Sequence, residues 1–266
     1  MPPTTASFRQ FAARLRAGAH LAGTFVKTPT SHAIEILGQT GFDFVVIDME
    51  HAAIGLAALD QMLLAARGAD IAGVVRVAEA APSAIQTALD TGASGVLVPH
   101  ICSRERAEAI VAAARYKGGR RGFANTTRAG AYGAVGYEAH KAAQDQETAC
   151  IAMIEDVEAL DVLDDILSVA GLDAIFIGRG DLTAALGGET INDPRTTAVV
   201  RSIMVAAIRH GVPAITICSD GEDARTMAAL GATAFMMGSD QGFMAKSARA
   251  ALATLAELEG RDKDAH

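Results

Sequence analysis

Phe42-Asp43-Phe44-Val45-Val46-Ile47-Asp48-Met49-Glu50-His51 is an apolar run that ends in three titratable side chains. Its centre, Phe44 to Ile47, shows no polar–apolar alternation, as expected of a strand covered on both faces in a parallel sheet. A packing strand has no use for the cluster that closes it. A catalytic site does: imidazole titrates near neutral pH, and an adjacent carboxylate can fix its tautomer and raise its basicity.

The same kind of run recurs along the chain. Strands are predicted over residues 21–25, 42–48, 73–77, 95–99, 150–154, 174–177, 214–217 and 234–237. Helices are predicted between them over 31–39, 55–67, 83–91, 104–115, 159–169, 194–210, 220–230 and 239–258. Gly41, Gly92, Gly171, Gly211 and Gly231 stand where helices should stop, because glycine tolerates the left-handed conformation just past a helix end. Eight βα units predict the α/β class and a closed (β/α)8 TIM barrel, one domain over residues 1–266, a length near the roughly 250 residues typical of that fold. A doubly wound open sheet is the alternative. It would carry a G-x-G-x-x-G turn after the first strand, and residues 24–30 have none.

Residues 116–136 break the rhythm. They are rich in glycine and arginine with little helical pattern, and could reach either face of the barrel. Loops of this length are usually functional or mobile. The tail 261–266 is expected to fray.

Composition narrows the function. The net charge of −8 argues against nonspecific nucleic-acid binding, though local arginines could still hold an anionic substrate. The three cysteines, Cys102, Cys150 and Cys218, are widely spaced and fit reduced thiols in a cytoplasm. They also make a cysteine-bound zinc site an unsuitable reading. Residues 1–5 lack the pattern of a secretory leader, and no apolar run reaches the ~18 residues of a membrane helix.

Barrel enzymes carry their chemistry at the C-terminal strand ends. There the sequence places Asp48, Glu50, His51, Arg76, His100, Glu155 and Asp181. Glu155 and Asp181 read as a metal pair, since two carboxylates at one mouth repel unless a cation lies between them. All-oxygen ligation favours Mg2+ or Mn2+. Asp181 could equally cap a helix. His51, with Asp48 three residues before it, reads as catalytic rather than as a core histidine. Arg76 needs an anionic partner, either a structural carboxylate or a substrate oxyanion. His32, His100 and His210 receive the structural reading. The glycines of Gly178-Arg179-Gly180-Asp181 would let backbone N–H groups approach an anion.

With these residues assembled, the chain resembles the HpcH/HpaI aldolase family of divalent-metal-dependent, class II pyruvate aldolases, of the 4-hydroxy-2-oxoheptanedioate or 2-keto-3-deoxy acid aldolase type. The matching pieces are residues 41–51, Val74-Val75-Arg76-Val77, Leu89-Asp90-Thr91-Gly92-Ala93, Val96-Leu97-Val98-Pro99, Arg121-Gly122, Ile154-Glu155, Phe176-Ile177-Gly178 and Asp181-Leu182. The resemblance implies a barrel of the phosphoenolpyruvate/pyruvate type. It implies His51 as base, Asp48 as its dyad partner and Asp90 as a further group raising its basicity. Arg76 would stabilise the enolate, and Glu155 and Asp181 would bind the metal: Mg2+ or Mn2+, with Co2+ or Zn2+ as other occupants. Glu50 would serve the metal's water shell, and amides near Gly180 and Asp181 would hold the pyruvate carboxylate. The substrates would be a small 2-oxo acid, pyruvate or a relative such as hydroxypyruvate, and an aldehyde. The assembly would be a homo-oligomer, a hexamer built as a trimer of dimers, to which helix 239–258 could contribute.

Two departures from the family pattern bear on specificity. Met153 stands where the family often has a substrate-contacting Gln, so that contact is lost or replaced. Arg179 stands where the family often has Pro, and it or an arginine of 116–136 is expected to read a distal polar group. The rival enzymatic readings are a citrate-lyase-like enzyme of acyl-CoA esters and an oxaloacetate decarboxylase. The rival of another class is a non-catalytic barrel serving as a scaffold.

Overall fold

The computed structural model describes residues 7–259; residues 1–5 and the tail 261–266 lie outside them. Eight parallel strands close into a barrel in chain order: β1 (Leu21–Val26), β2 (Phe44–Asp48), β3 (Ala72–Arg76), β4 (Gly95–Val98), β5 (Ala149–Ile154), β6 (Ala174–Ile177), β7 (Ala214–Cys218) and β8 (Ala234–Ser239). Each matches a predicted strand to within two residues at either end.

Side chains alternate along these strands, and the alternation divides the apolar residues into two cores. Phe44, Val46, Val74, Leu97, Ile151, Phe176, Ile215 and Met236 fill the barrel interior. Val45, Ile47, Val75, Val96, Ile154, Ile175 and Ile177 face outward and pack under the helices. That two-sided burial is why the strands read as unbroken apolar runs.

The outer layer is α2 (Ser31–Gln39), α3 (Leu56–Gly68), α4 (Pro82–Asp90), α5 (Arg104–Ala114), α7 (Leu163–Leu167), α9 (Pro194–His210) and α10 (Gly221–Leu230). The predicted helix over 159–169 is split. A short 3-10 turn, Val157–Leu160, precedes α7, and Val162 between them leaves helical backbone at φ −120° and ψ 18°.

Three helices were not expected: α1 (Ser7–Arg16), α6 (Tyr137–Glu147) and α8 (Arg179–Ala185). Helix α1 plugs the N-terminal end of the barrel. Its Phe11 meets Phe44 with ring centroids 5.2 Å apart, and such a fully buried aromatic contributes about 1.5–3 kcal/mol. Arg14 pairs with Asp43 and Arg16 with Asp173, which strap the plug to residues just before β2 and β6.

The segment 116–136 serves this same N-terminal end, followed by α6. Arg121 reaches Asp90 at the end of α4, and Arg128 donates to the carbonyls of Asp60 and Thr91.

The last helix, α11 (Asp240–Glu259), leans on the barrel only near its start, against β1 and β8. Its Met244, Leu252 and Leu255 are exposed. Cys102, Cys150 and Cys218 are free thiols. Among the described residues no helix is long and apolar enough to cross a membrane.

Candidate active site

The inward alternation does not stop with the apolar residues. Continuing it along β2 and β3 turns Asp48 and Arg76 into the barrel at its C-terminal mouth. Continuing it one residue past β1, β5 and β6 does the same for Lys27, Glu155 and Gly178. The mouth opens into a cavity of about 290 Å³, lined by Phe25, Lys27, His51, Arg76, Met153 and Phe176 and closed on one side by Gly178 to Asp181.

Asp48 and Arg76 are register partners in the β2–β3 ladder. Arg76 Nε donates to Asp48 Oδ1 at 2.9 Å and Nη2 donates to Oδ2 at 2.7 Å. Oδ1 also accepts the main-chain N–H groups of Glu50 and His51. Burial alone would raise the Asp48 carboxyl. Hydrogen bonds and charge from Arg76, then the His51 N–H and Lys27, outweigh it and hold the carboxyl below the usual carboxylate range. Of the Asp48–His51 dyad expected from sequence, the structure shows Asp48 bonded to the main-chain N–H of His51. The imidazole is more than half exposed, with Nε2 3.6 Å from Glu50 Oε2.

A second acidic group faces that pair. Glu155 is buried, and its Oε1 accepts the His100 N–H at 2.9 Å. Burial, partly offset by His100 and reinforced by the charges of Asp181 and Glu50, pushes the Glu155 carboxyl up to about 7. Gly178 makes the close packing here feasible: a Cβ on it would stand 2.4 Å from Glu155 Cβ and 3.0 Å from Oε2. Asp181, exposed in the first turn of α8, completes the carboxylate pair.

His100 was not expected in the site. It follows β4 in an uncommon left-handed conformation, φ 56°. Its Nδ1 lies 3.1 Å from Asp156 Oδ1, and its Nε2 lies 3.7 Å from Glu50 Oε1. Burial lowers its pKa, but the Asp156 contact and the charges of Glu155, Asp156 and Glu50 raise it on balance. The available signal was position: His100 follows an apolar strand as His51 does.

These residues fit a divalent cation. Glu155 and Asp181 supply hard oxygen donors whose mutual repulsion a cation would relieve. Glu50 Oε2 is buried without a hydrogen-bond partner, although Arg76 Nη1 lies 3.1 Å away outside hydrogen-bond geometry. Such an orphaned oxygen suits the water shell of an ion. No three His, Cys, Asp or Glu side chains among the described residues gather into a ligand set by themselves. The pair leaves the remaining positions to water and substrate.

Other expectations fall elsewhere. Asp90 ends α4 at the opposite, N-terminal end of the barrel and pairs with Arg121 at 2.8 Å. A barrel strand spans roughly 15–20 Å, so Asp90 does not tune His51 of the same chain. Arg179 is 1% exposed. It spends its guanidinium on Ile217 O, Asp223, Ile191 O and Asn192. It ties α8 to β7 and α10 through both terminal nitrogens, while its Nε is buried without a hydrogen-bond partner. The arginines of 116–136 serve the far end of the chain's own barrel. Met153 lines the cavity as an apolar wall, and Gly180 is exposed beside Asp181.

The family described as HpcH/HpaI aldolase/citrate lyase matches residues 21–247. The pyruvate aldolase of Rhizobium etli is 34% identical over 249 residues, which cover 92% of this chain and 97% of that one. The crystal structure of the citrate synthase SbnG superposes with a TM-score of 0.84 at 34% identity, covering 94% of this chain and 98% of that one. An HpcH/HpaI aldolase/citrate lyase family protein from Burkholderia cenocepacia superposes with a TM-score of 0.87 at 27% identity, covering 93% and 99%.

Proposed function

The chain belongs to the HpcH/HpaI aldolase/citrate lyase family, and from that premise we propose a metal-dependent aldolase that reversibly cleaves a 4-hydroxy-2-oxo acid into pyruvate, or a close 2-oxo acid, and an aldehyde. The observation that carries this reading is the convergence of a buried carboxylate raised to about 7, a second carboxylate and a buried arginine on the mouth that His51 overlooks.

His51, exposed at the rim, takes the proton of the C4 hydroxyl directly or through water. The C3–C4 bond breaks, C4 leaves as the aldehyde, and the bonding pair passes to C3 and the C2 oxygen as an enolate. Protonation at C3 gives pyruvate. Arg76 sets a fixed positive charge beside the oxygen that becomes negative. Asp48 acts as a positioning residue by holding both Arg76 and the His51 main chain. Glu155 and Asp181 would hold Mg2+ or Mn2+, which supplies Lewis-acid polarisation of the keto oxygen. Amides near Gly180 and Asp181 would receive the substrate carboxylate.

The exposed apolar positions of α11 support self-association, which we propose as the family's hexameric arrangement. Likeness to a citrate synthase favours a second reading, carbon–carbon chemistry on a citrate-like tricarboxylic acid. Incubation with 4-hydroxy-2-oxo acids, oxaloacetate and citrate separates the two. Release of pyruvate together with an aldehyde supports the aldolase; turnover of citrate alone supports the second reading.

A further inference from the structure

Arg76 is surrounded by acceptors: two of its nitrogens are committed to Asp48, and the third faces Glu50 at 3.1 Å. An arginine so engaged still contributes its charge, but it has few N–H donors left for an oxygen that gains charge during the reaction. Lys27 is in the opposite position. Its ammonium lines the mouth together with Arg76 and the deeply buried Arg179, and it stands just past the end of β1, next in the inward series after Phe25.

The only ion pair of Lys27 among the described residues is loose, with Nζ 3.4 Å from Asp48 Oδ2. An ammonium has three donors, so most of its hydrogen-bonding capacity is unspent. Its base is nevertheless fixed. Asp240, itself buried, accepts the N–H of Lys27 on one carboxylate oxygen at 2.9 Å and the N–H of Thr28 on the other at 3.0 Å. Its Nζ lies over the Phe25 ring, 6.0 Å from the centroid. A flexible side chain is thus anchored at its root and led into the cavity, with its charged end free to turn from Asp48 to a substrate.

We infer that Lys27 is a catalytic residue of the proposed reaction: its Nζ donates to the substrate oxygen that becomes negative as the C3–C4 bond breaks. The inference rests on the aldolase reading above. It requires no covalent bond to the substrate: the ammonium acts only as a hydrogen-bond donor. Shared attraction to Asp48 Oδ2 holds Lys27 and Arg76 on one side of the cavity, so the two cations act on the same developing charge.

The test compares the full-length wild type with Lys27→Met and Lys27→Arg, each supplied with Mg2+. Three quantities are read: kcat and KM for release of pyruvate from a 4-hydroxy-2-oxo acid, exchange of the C3 protons of pyruvate with D2O by NMR, and the thermal unfolding midpoint. Removing one donor of this kind costs about 10²-fold or more in kcat. Lys27→Met is expected to lose kcat and proton exchange by a similar factor, with a smaller change in KM and an unchanged midpoint. Lys27→Arg is expected to recover part of both rates. Wild-type kcat and exchange in Lys27→Met would overturn the assignment. So would a loss accompanied by a lowered midpoint in both variants, which would make Lys27 a structural support of Asp48. A wild type that neither releases pyruvate nor exchanges its protons would overturn the aldolase reading itself.

Discussion

Arg76 and Asp48 face each other as register partners on neighbouring strands and lock fork to fork, at 2.9 and 2.7 Å, almost completely shielded from water. Removing one member of a buried pair strands the other charge, which typically costs about 3–5 kcal/mol. Arg76→Met is therefore expected to lower the unfolding midpoint by roughly 10 °C for a chain of this size and to abolish turnover. The same pair sets an acid limit. The folded-state pKa of Asp48 lies below its ordinary 3.8, so its contribution is present above that value and is lost as pH falls through the folded value. Denaturant titrations should show this loss only below about pH 4. They should not show it in Asp48→Asn, which is already destabilised at neutral pH.

Glu155 acts in the opposite sense and in a different window. Its folded-state pKa is raised from 4.5 to about 7. Below 4.5 it is protonated in both folded and unfolded chains and costs nothing. Between 4.5 and about 7 the unfolded chain releases the proton more readily, so metal-free stability falls as pH rises. A cation that binds the ionised carboxylate offsets this cost. Mg2+ or Mn2+ should raise the unfolding midpoint clearly at pH 8 and little at pH 5. An equal rise at both would remove Glu155 from the ligand set.

Arg179→Ala is expected to be a stability variant. Four partners lose their donor, and Asp223, itself buried, loses its counter-charge. A loss of about 3–5 kcal/mol follows. Lys cannot reproduce the planar fork that reaches Asp223, Asn192 and two carbonyls, so Arg179→Lys should rescue little. The relative rates with acidic and neutral aldehyde acceptors should not change in either variant.

His51→Ala should separate proton transfer from metal binding. The imidazole is exposed, and its one ion-pair contact among the described residues is with Glu50, not with Glu155 or Asp181. The variant should keep the metal-induced rise in midpoint and lose about 10²–10⁴-fold in turnover. Turnover equal to wild type would assign the proton to another group.

Fold and site were unequally legible. The strands are covered on both faces, so Phe44–Asp48 and its seven counterparts appear as apolar runs that composition alone picks out. The missed helices lack that signature. Helix α6 buries His140 and Gln144 rather than an apolar stripe, and α8 opens with Arg179-Gly180, residues that suggest a turn. In the site, strand ends placed Asp48, Glu50, His51, Arg76, Glu155 and Asp181 at the C-terminal end of the barrel, where the structure has them. Partnership was not legible. The spacing of Asp48 and His51 shows that they are near each other, but the β2–β3 register and the inward parity of both side chains are what join Asp48 to Arg76. The place of Asp90 at the N-terminal end was not legible, because a short motif carries no information about which end of the barrel it occupies. The burial of Arg179 was not legible, because a charged residue in a glycine turn looks exposed until the acceptors of β7 and α10 close over it.

The central claim is aldol cleavage that depends on a divalent ion held at Glu155 and Asp181. The direct measurement is pyruvate release from a 4-hydroxy-2-oxo acid by protein treated with EDTA, before and after addition of Mg2+ or Mn2+, alongside Glu155→Gln. The account predicts no release from the stripped protein, recovery on adding either ion, and no recovery in the variant. Undiminished release from the stripped protein, or full recovery in Glu155→Gln, would contradict it.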